Sequence, residues 1–160
     1  MKIRLWCVAV KDEKTAVKIT KKGDTTIKPK VLFICIHNSA RSQMAEAFLK
    51  QIAGDRFEVE SAGLEPGALN QNTVQVMKEV GIDISQNRIK SVQALYQQGK
   101  KFDYVIAVCD PKAAEMCPTF PGIKQQLHWP FADPSKLGDL EGIREIRDLI
   151  KAKVEEFAML

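Results

Sequence analysis

The sequence predicts an α/β fold: a three-layer sandwich in which a roughly four-stranded, mostly parallel sheet is flanked by helices. Three observations predict it. Val31-Leu-Phe-Ile34 and Tyr104-Val-Ile-Ala-Val108 are continuous apolar runs, as expected of parallel strands buried on both faces. Around them lie segments whose apolar residues recur at helical spacing and stop at glycine. Cys35, Cys109 and Asp133 each follow a predicted strand. They therefore fall on one rim of the sheet, beyond the carboxyl ends of the strands, where such folds place their sites.

The elements follow in order. In residues 1–30, Lys2–Val10 and Thr15–Lys21 alternate as strands do, and Lys22–Thr25 reads as a turn before Thr26-Ile-Lys28. A small hairpin and a frayed tail both fit this stretch. A single functional domain is expected over residues 31–160. After the Val31–Ile34 strand, Ser42–Ala53 forms a helix with Met44, Ala45, Phe48, Leu49 and Ile52 on one face, ended at Gly54. Phe57–Glu60 is a short strand running into Ser61-Ala-Gly63. Asn70–Val80 is a second helix, with Val74, Met77 and Val80 inward, closed by Gly81. Val92–Gln98 is a third. Tyr104–Val108 and Leu127–Trp129 are the remaining strands. The last helix, Leu140–Met159, starts after Gly138-Asp139, with Asp139 as N-cap.

Composition narrows the function. Hydrophobic residues make up 45% and charged residues 28% of the 160, ordinary for a globular domain. No apolar run is long enough to span a bilayer, and the N-terminus lacks a signal-peptide cleavage site. A cytoplasmic protein acting as a monomer is expected. Residues 1–30 carry nine Lys/Arg against three Asp/Glu, and residues 31–160 fifteen against seventeen. The basic excess is thus confined to the extension, scattered and without interleaved aromatics, which argues against a nucleic-acid partner. The four cysteines, Cys7, Cys35, Cys109 and Cys117, include no CxxC pair, and the histidines are His37 and His128 alone. A structural zinc site or disulfide framework is not expected.

The chemistry centres on Cys35-Ile-His-Asn-Ser-Ala-Arg41-Ser42. A tight loop entering a helix N-terminus turns successive backbone N–H groups inward and forms an anion nest, here from Ile36, His37, Asn38, Ser39, Ala40 and Arg41. The same dipoles favour a thiolate, which makes Cys35 the nucleophile. Arg41 offers a planar fork to two oxygens of a tetrahedral oxyanion. Ser42 can donate to the thiolate, and Asn38 can hold the loop or adopt a left-handed conformation.

Cys35-Ile-His-Asn-Ser-Ala-Arg-Ser-Gln-Met-Ala-Glu46 resembles the loop of the low-molecular-weight protein tyrosine phosphatase fold, and within it the thioredoxin-coupled arsenate reductases. The resemblance continues through Ser61-Ala-Gly63, Gly81-Ile-Asp-Ile-Ser85, Val108-Cys-Asp110 with Cys117-Pro118, and His128-Trp-Pro-Phe-Ala-Asp-Pro134, while residues 1–30 lie outside it. It implies arsenate or phosphate as ligand and a relay of three thiols. Cys35 attacks arsenate, with Asp133 as the acid for the departing oxygen. Cys109 attacks Cys35 and releases arsenite. Cys117 attacks Cys109, and thioredoxin or a similar thiol reductant reduces the resulting disulfide. One regular helix from Cys109 to Cys117 would separate their backbones by about 12 Å at ~1.5 Å per residue. A disulfide needs Cα atoms within roughly 7 Å, so residues 110–116 must loop or unwind, and any helix there is expected to be marginal.

Some relatives bind potassium through an Asn, a Glu, a Ser and an Asp. Asn38, Glu46 and Ser61 match three of these, and the fourth falls at Lys90. The expectation is that the Lys90 ammonium replaces the cation and that no cofactor is bound. His37 stands where many relatives have Gly; it either stabilises the thiolate or points to solvent. Ser135-Lys136 follows Asp133-Pro134 where tyrosine phosphatases of this fold tend to carry tyrosines, which disfavours a phosphotyrosine substrate. Cys7 has no counterpart and reads as a bystander. The competing readings are a phosphatase with incidental cysteines and a non-catalytic oxyanion-binding module.

Overall fold

The computed structural model describes residues 27–160. The readings of a hairpin or tail at the N-terminus, and of Cys7, fall outside the described residues. Four strands, β1 (Lys30–Cys35), β2 (Glu58–Gly63), β3 (Tyr104–Ala107) and β4 (Gln125–His128), form one parallel sheet in the order β2-β1-β3-β4. Among the described residues five α-helices accompany it: α1 (Arg41–Ala53), α2 (Gln71–Glu79), α3 (Val92–Gln97), α4 (Pro111–Ala114) and α5 (Leu140–Ala158).

β1 is central and its side chains alternate between two apolar layers. Val31, Phe33 and Cys35 belong to one buried cluster with α1, α2 and α5, while Leu32 and Ile34 face a second with Val92, Leu95, Phe102 and Phe120. This is the physical reason the strand reads as an unbroken apolar run. Phe33 is fully buried and packs on Trp129, which in turn meets Phe157 of α5. Truncating Phe33 to alanine would cost about 3–5 kcal/mol.

The helix ends follow side-chain chemistry. Asn70 caps α2 through Thr73 N–H, Ser91 caps α3 through Ala94 N–H, and Asp139 caps α5 through Gly142 N–H. Three details differ from expectation. β2 runs on through Ser61 to Gly63, because its last residues pair with Phe33, Ile34 and Cys35 of β1. β4 begins two residues earlier than expected and stops at His128, ahead of Pro130. Val80 is exposed: α2 ends at Glu79, and the buried positions are Thr73, Val74, Val76 and Met77. Among the described residues no helix is long and apolar enough to cross a membrane.

Candidate active site

Cys35 is the last residue of β1 and is buried. The loop after it curls over the N-terminus of α1, where Ala40 stands at the N-cap and offers no side-chain acceptor. The first-turn N–H groups of the helix are thereby left for an anion. The loop carbonyls point away from the cysteine. Leu64, Glu65, Gly67 and Asn70 donate their backbone N–H groups to the carbonyls of Cys35, Ile36, His37 and Ser39 at 2.7–3.1 Å. In a trans peptide the N–H points opposite to the C=O, so the N–H groups of Ile36, His37, Asn38 and Ala40 turn the other way, into the loop. The Asn38 N–H shows this directly: it donates to Cys35 Sγ at 3.1 Å.

Asn38 organises the loop. Its φ of 56° is the left-handed conformation, and its side chain uses its full hydrogen-bonding capacity. Nδ2 donates to Ser42 Oγ at 2.7 Å and to Ser61 Oγ at 2.9 Å, while Oδ1 accepts from Lys90 N–H at 2.9 Å and Gln43 Nε2 at 3.2 Å. Ser42 Oγ lies 2.9 Å from Cys35 Sγ. Ser61 Oγ donates a hydrogen bond to Glu46, a buried carboxylate that also meets Lys50, with Lys90 Nζ 3.9 Å away. Asn38, Glu46, Ser61 and Lys90 thus form one connected network beneath the loop.

Arg41 is buried at the start of α1, where its Nη1 donates to the Phe131 carbonyl at 3.0 Å and its Nη2 lies 3.8 Å from Asp133 Oδ2. Burial pushes the Asp133 carboxyl up, but hydrogen bonds from Ser135 and the charges of Arg41 and Lys136 outweigh it and hold the group below the ordinary carboxylate value. His37 is exposed, with Nδ1 2.9 Å from the Glu65 carbonyl, so in this arrangement its ring braces the outer side of the loop.

Cys109 follows β3 and is fully buried in the same cluster as Cys35. Burial pushes its thiol up to about 11; the Arg41 charge opposes this and the neighbouring Cys35 adds to it. Cys117 is half-buried, and burial together with the Cys109 charge likewise raises it to about 11. Between them α4 is one short helix, Pro111–Ala114, capped by Asp110. Cys117 packs against the cluster on the opposite side of the sheet from that of Cys109.

Sequence reasoning gave no role to Gln43, Gly63 or residues 64–70. Gln43 is fully buried on α1 and donates to the Asn38 and Arg88 carbonyls; it shares the helix stripe of Glu46 and Lys50 rather than the apolar face, so the pattern carried no signal for it. Gly63 lies under the loop: a Cβ there would come within 2.8 Å of Asn38 N, His37 C and Ile36 O.

The chain matches the family described as low molecular weight phosphotyrosine protein phosphatase over residues 30–159. It is 40% identical over 134 residues to an arsenate reductase of Halalkalibacterium halodurans, covering 80% of this chain and 94% of that one. The fold superposes with a TM-score of 0.69 and 32% identity on an arsenate reductase solved in the phosphate-binding state, covering 81% of this chain and 95% of the other. A thioredoxin-dependent arsenate reductase of Corynebacterium glutamicum is also similar, with a TM-score of 0.65 and 30% identity over 93% of this chain and 69% of that one. The chain belongs to the low molecular weight phosphotyrosine protein phosphatase family and, within it, to the arsenate reductases.

Proposed function

We propose that the chain reduces arsenate to arsenite through a relay from Cys35 to Cys109 to Cys117, recycled in the cytoplasm by thioredoxin or a similar thiol reductant. The observation that carries this reading is the placement of three free thiols. Cys35 sits in an oxyanion loop, Cys109 is buried in the same cluster, and Cys117 is the more exposed of the pair that follows. A phosphatase has use for the first alone.

In this reading the loop N–H groups and the Arg41 fork hold three oxygens of arsenate while Cys35 attacks arsenic and one oxygen leaves. Asp133 supplies the proton. The arriving oxyanion brings negative charge beside Asp133 and draws on Arg41, both of which raise its proton affinity when an acid is needed. The Cys109 thiolate then forms a bond to Cys35 Sγ as the sulfur–arsenic bond breaks. That electron pair passes to arsenic, As(V) becomes As(III), and the two sulfurs are oxidised to a disulfide. Cys117 exchanges with Cys109 and presents the disulfide to the reductant. Burial keeps both later thiols largely protonated at rest, which guards against premature disulfide formation.

Lys90 takes the place of a bound cation in this reading. Its Nζ lies 3.9 Å from the carboxylate oxygen of Glu46 that accepts from Ser61. Activity should then be the same in potassium and sodium; a sharp rise with potassium would count against it.

Iodoacetamide labelling tests the site. Arsenate or phosphate should protect Cys35; unprotected labelling would remove the oxyanion role. Cys117→Ser separates the chemistries: it should end multiple-turnover arsenate reduction and spare para-nitrophenyl phosphate hydrolysis. Sustained arsenate turnover in that variant would refute the relay.

A further inference from the structure

β3 and β4 run parallel with Ala107 opposite His128, and Trp129 N–H donates to the Ala107 carbonyl at 2.8 Å. In a parallel ladder the next donor on this strand is two residues on, at Phe131, and the next acceptor on β3 is the Cys109 carbonyl. The strand stops short of that: β4 ends at His128, Pro130 follows, and Phe131 instead offers its carbonyl to Arg41. A side chain completes the ladder. His128 Nε2 lies 2.7 Å from the Cys109 carbonyl oxygen. A carbonyl only accepts, so Nε2 carries the hydrogen.

This bond fixes the peptide joining Cys109 to Asp110, the first peptide of the segment that links the two later thiols. Beyond the last ladder bond, the stretch from His128 to Asp133 therefore holds two residues of the rim. It grips Cys109 through an imidazole and Arg41 through a carbonyl. We propose that His128 is a positioning residue for Cys109, holding its backbone so that the sulfur is presented to Cys35, and that it acts on the first thiol exchange alone. The inference rests on the relay reading given above. In that exchange the Cys109 proton is lost to water, the Cys109–Cys35 bond forms, the Cys35–arsenic bond breaks, and its electron pair leaves with arsenite.

The test uses the full-length Cys117→Ser protein, in which the relay halts after the first exchange. Protein in excess is mixed with arsenate and quenched with iodoacetamide, and the Cys35–Cys109 disulfide and released arsenite are followed in time. Adding His128→Ala should slow both about tenfold or more, since a displaced nucleophile loses rate steeply. Para-nitrophenyl phosphate hydrolysis, which does not use Cys109, should change by less than about twofold. His128→Gln retains an N–H donor and should recover to within about threefold of the parent.

An unchanged disulfide rate in His128→Ala overturns the proposal. So does an equal loss in both reactions, which would make His128 a general support of the rim. His128→Phe keeps ring volume without a donor, and carries the same comparison if the alanine variant fails to fold. Hydrogen peroxide gives a second entry to the exchange. It oxidises Cys35 to the sulfenic acid, which Cys109 attacks with loss of hydroxide. A parent protein that forms the disulfide with peroxide but releases no arsenite counts against the reductase reading alone. The His128 comparison is then made on the peroxide-driven rate.

Discussion

Asn38 Nδ2 donates to Ser42 Oγ at 2.7 Å, and this bond directs the serine hydroxyl toward Cys35, whose Sγ is 2.9 Å from the same oxygen. With one lone pair of Oγ occupied, the hydrogen of Ser42 is free to point at sulfur. The cysteine then has two donors, Ser42 Oγ–H and Asn38 N–H, and both depend on Asn38 keeping its left-handed backbone. Two variants separate the conformation from the bonds. Asn38→Gly keeps the backbone freedom and loses the side chain, which should cost about 2–4 kcal/mol because Ser61 and Lys90 N–H lose buried partners. Asn38→Ala should cost about 1 kcal/mol more, from the positive φ. Urea unfolding of both checks this; equal stabilities would show that the backbone conformation carries no cost.

Gly63 should tolerate no side chain. A Cβ would sit 2.8 Å from three backbone atoms of the catalytic loop, none of which can rotate aside. Gly63→Ala is expected to lose about 1–3 kcal/mol of stability and to push the loop N–H groups off the oxyanion. Phosphate protection of Cys35 against iodoacetamide should weaken at least about tenfold. Gly67→Ala, whose Cβ would meet the His37 side chain at 3.3 Å, is the mild control. Full protection in Gly63→Ala would contradict the close packing of β2 beneath the loop.

Much of this site was legible in the sequence and some was not. Cys35, Arg41 and Ser42 could be read because their spacing between a buried strand and an amphipathic helix has few other uses. Asn38, Glu46, Ser61 and Lys90 could be named from the resemblance, and the structure brings them into contact. The four carbonyl contacts from Leu64, Glu65, Gly67 and Asn70 could not be read, because backbone–backbone bonds leave no side-chain signature. The His128 contact was hidden for a related reason: its acceptor is the main chain of Cys109, which any residue there would provide. In the fold, the central strands were legible from apolarity. β4 was displaced because Gln125 and Gln126 are exposed at the sheet edge and carry no apolar signal.

The buried thiols make both rate and stability depend on pH. Cys109 and Cys117 are each raised from 9.0 to about 11 in the folded protein. The exchange steps need thiolates, so their rates should climb about tenfold per pH unit from neutrality toward that value. Stability runs the other way. The folded state favours the neutral thiols, so their contribution is complete below pH 9 and is lost as pH rises toward about 11. Urea midpoints at pH 7.5 and 10, compared with those of the Cys109→Ala and Cys117→Ala variants, measure this. A wild-type midpoint that falls no more than those of the variants would contradict the burial argument.

Asp133 should matter to chemistry and little to binding. Asp133→Asn keeps the Oδ1 that accepts from Ser135 and removes the proton donor. Arsenate turnover should fall by about 10²–10³-fold, while phosphate protection of Cys35 changes by less than about threefold. A parallel fall in protection would move Asp133 from proton donor to oxyanion support through Arg41, 3.8 Å away.

The most direct test of the three-thiol account is a coupled assay with thioredoxin, thioredoxin reductase and NADPH. Adding arsenate to the wild-type protein should oxidise NADPH continuously, one equivalent per arsenite formed, and Cys35→Ser, Cys109→Ser and Cys117→Ser should each abolish it. Hydrolysis of para-nitrophenyl phosphate without any arsenate-dependent NADPH oxidation would contradict the account and leave a phosphatase in which Cys109 and Cys117 are incidental.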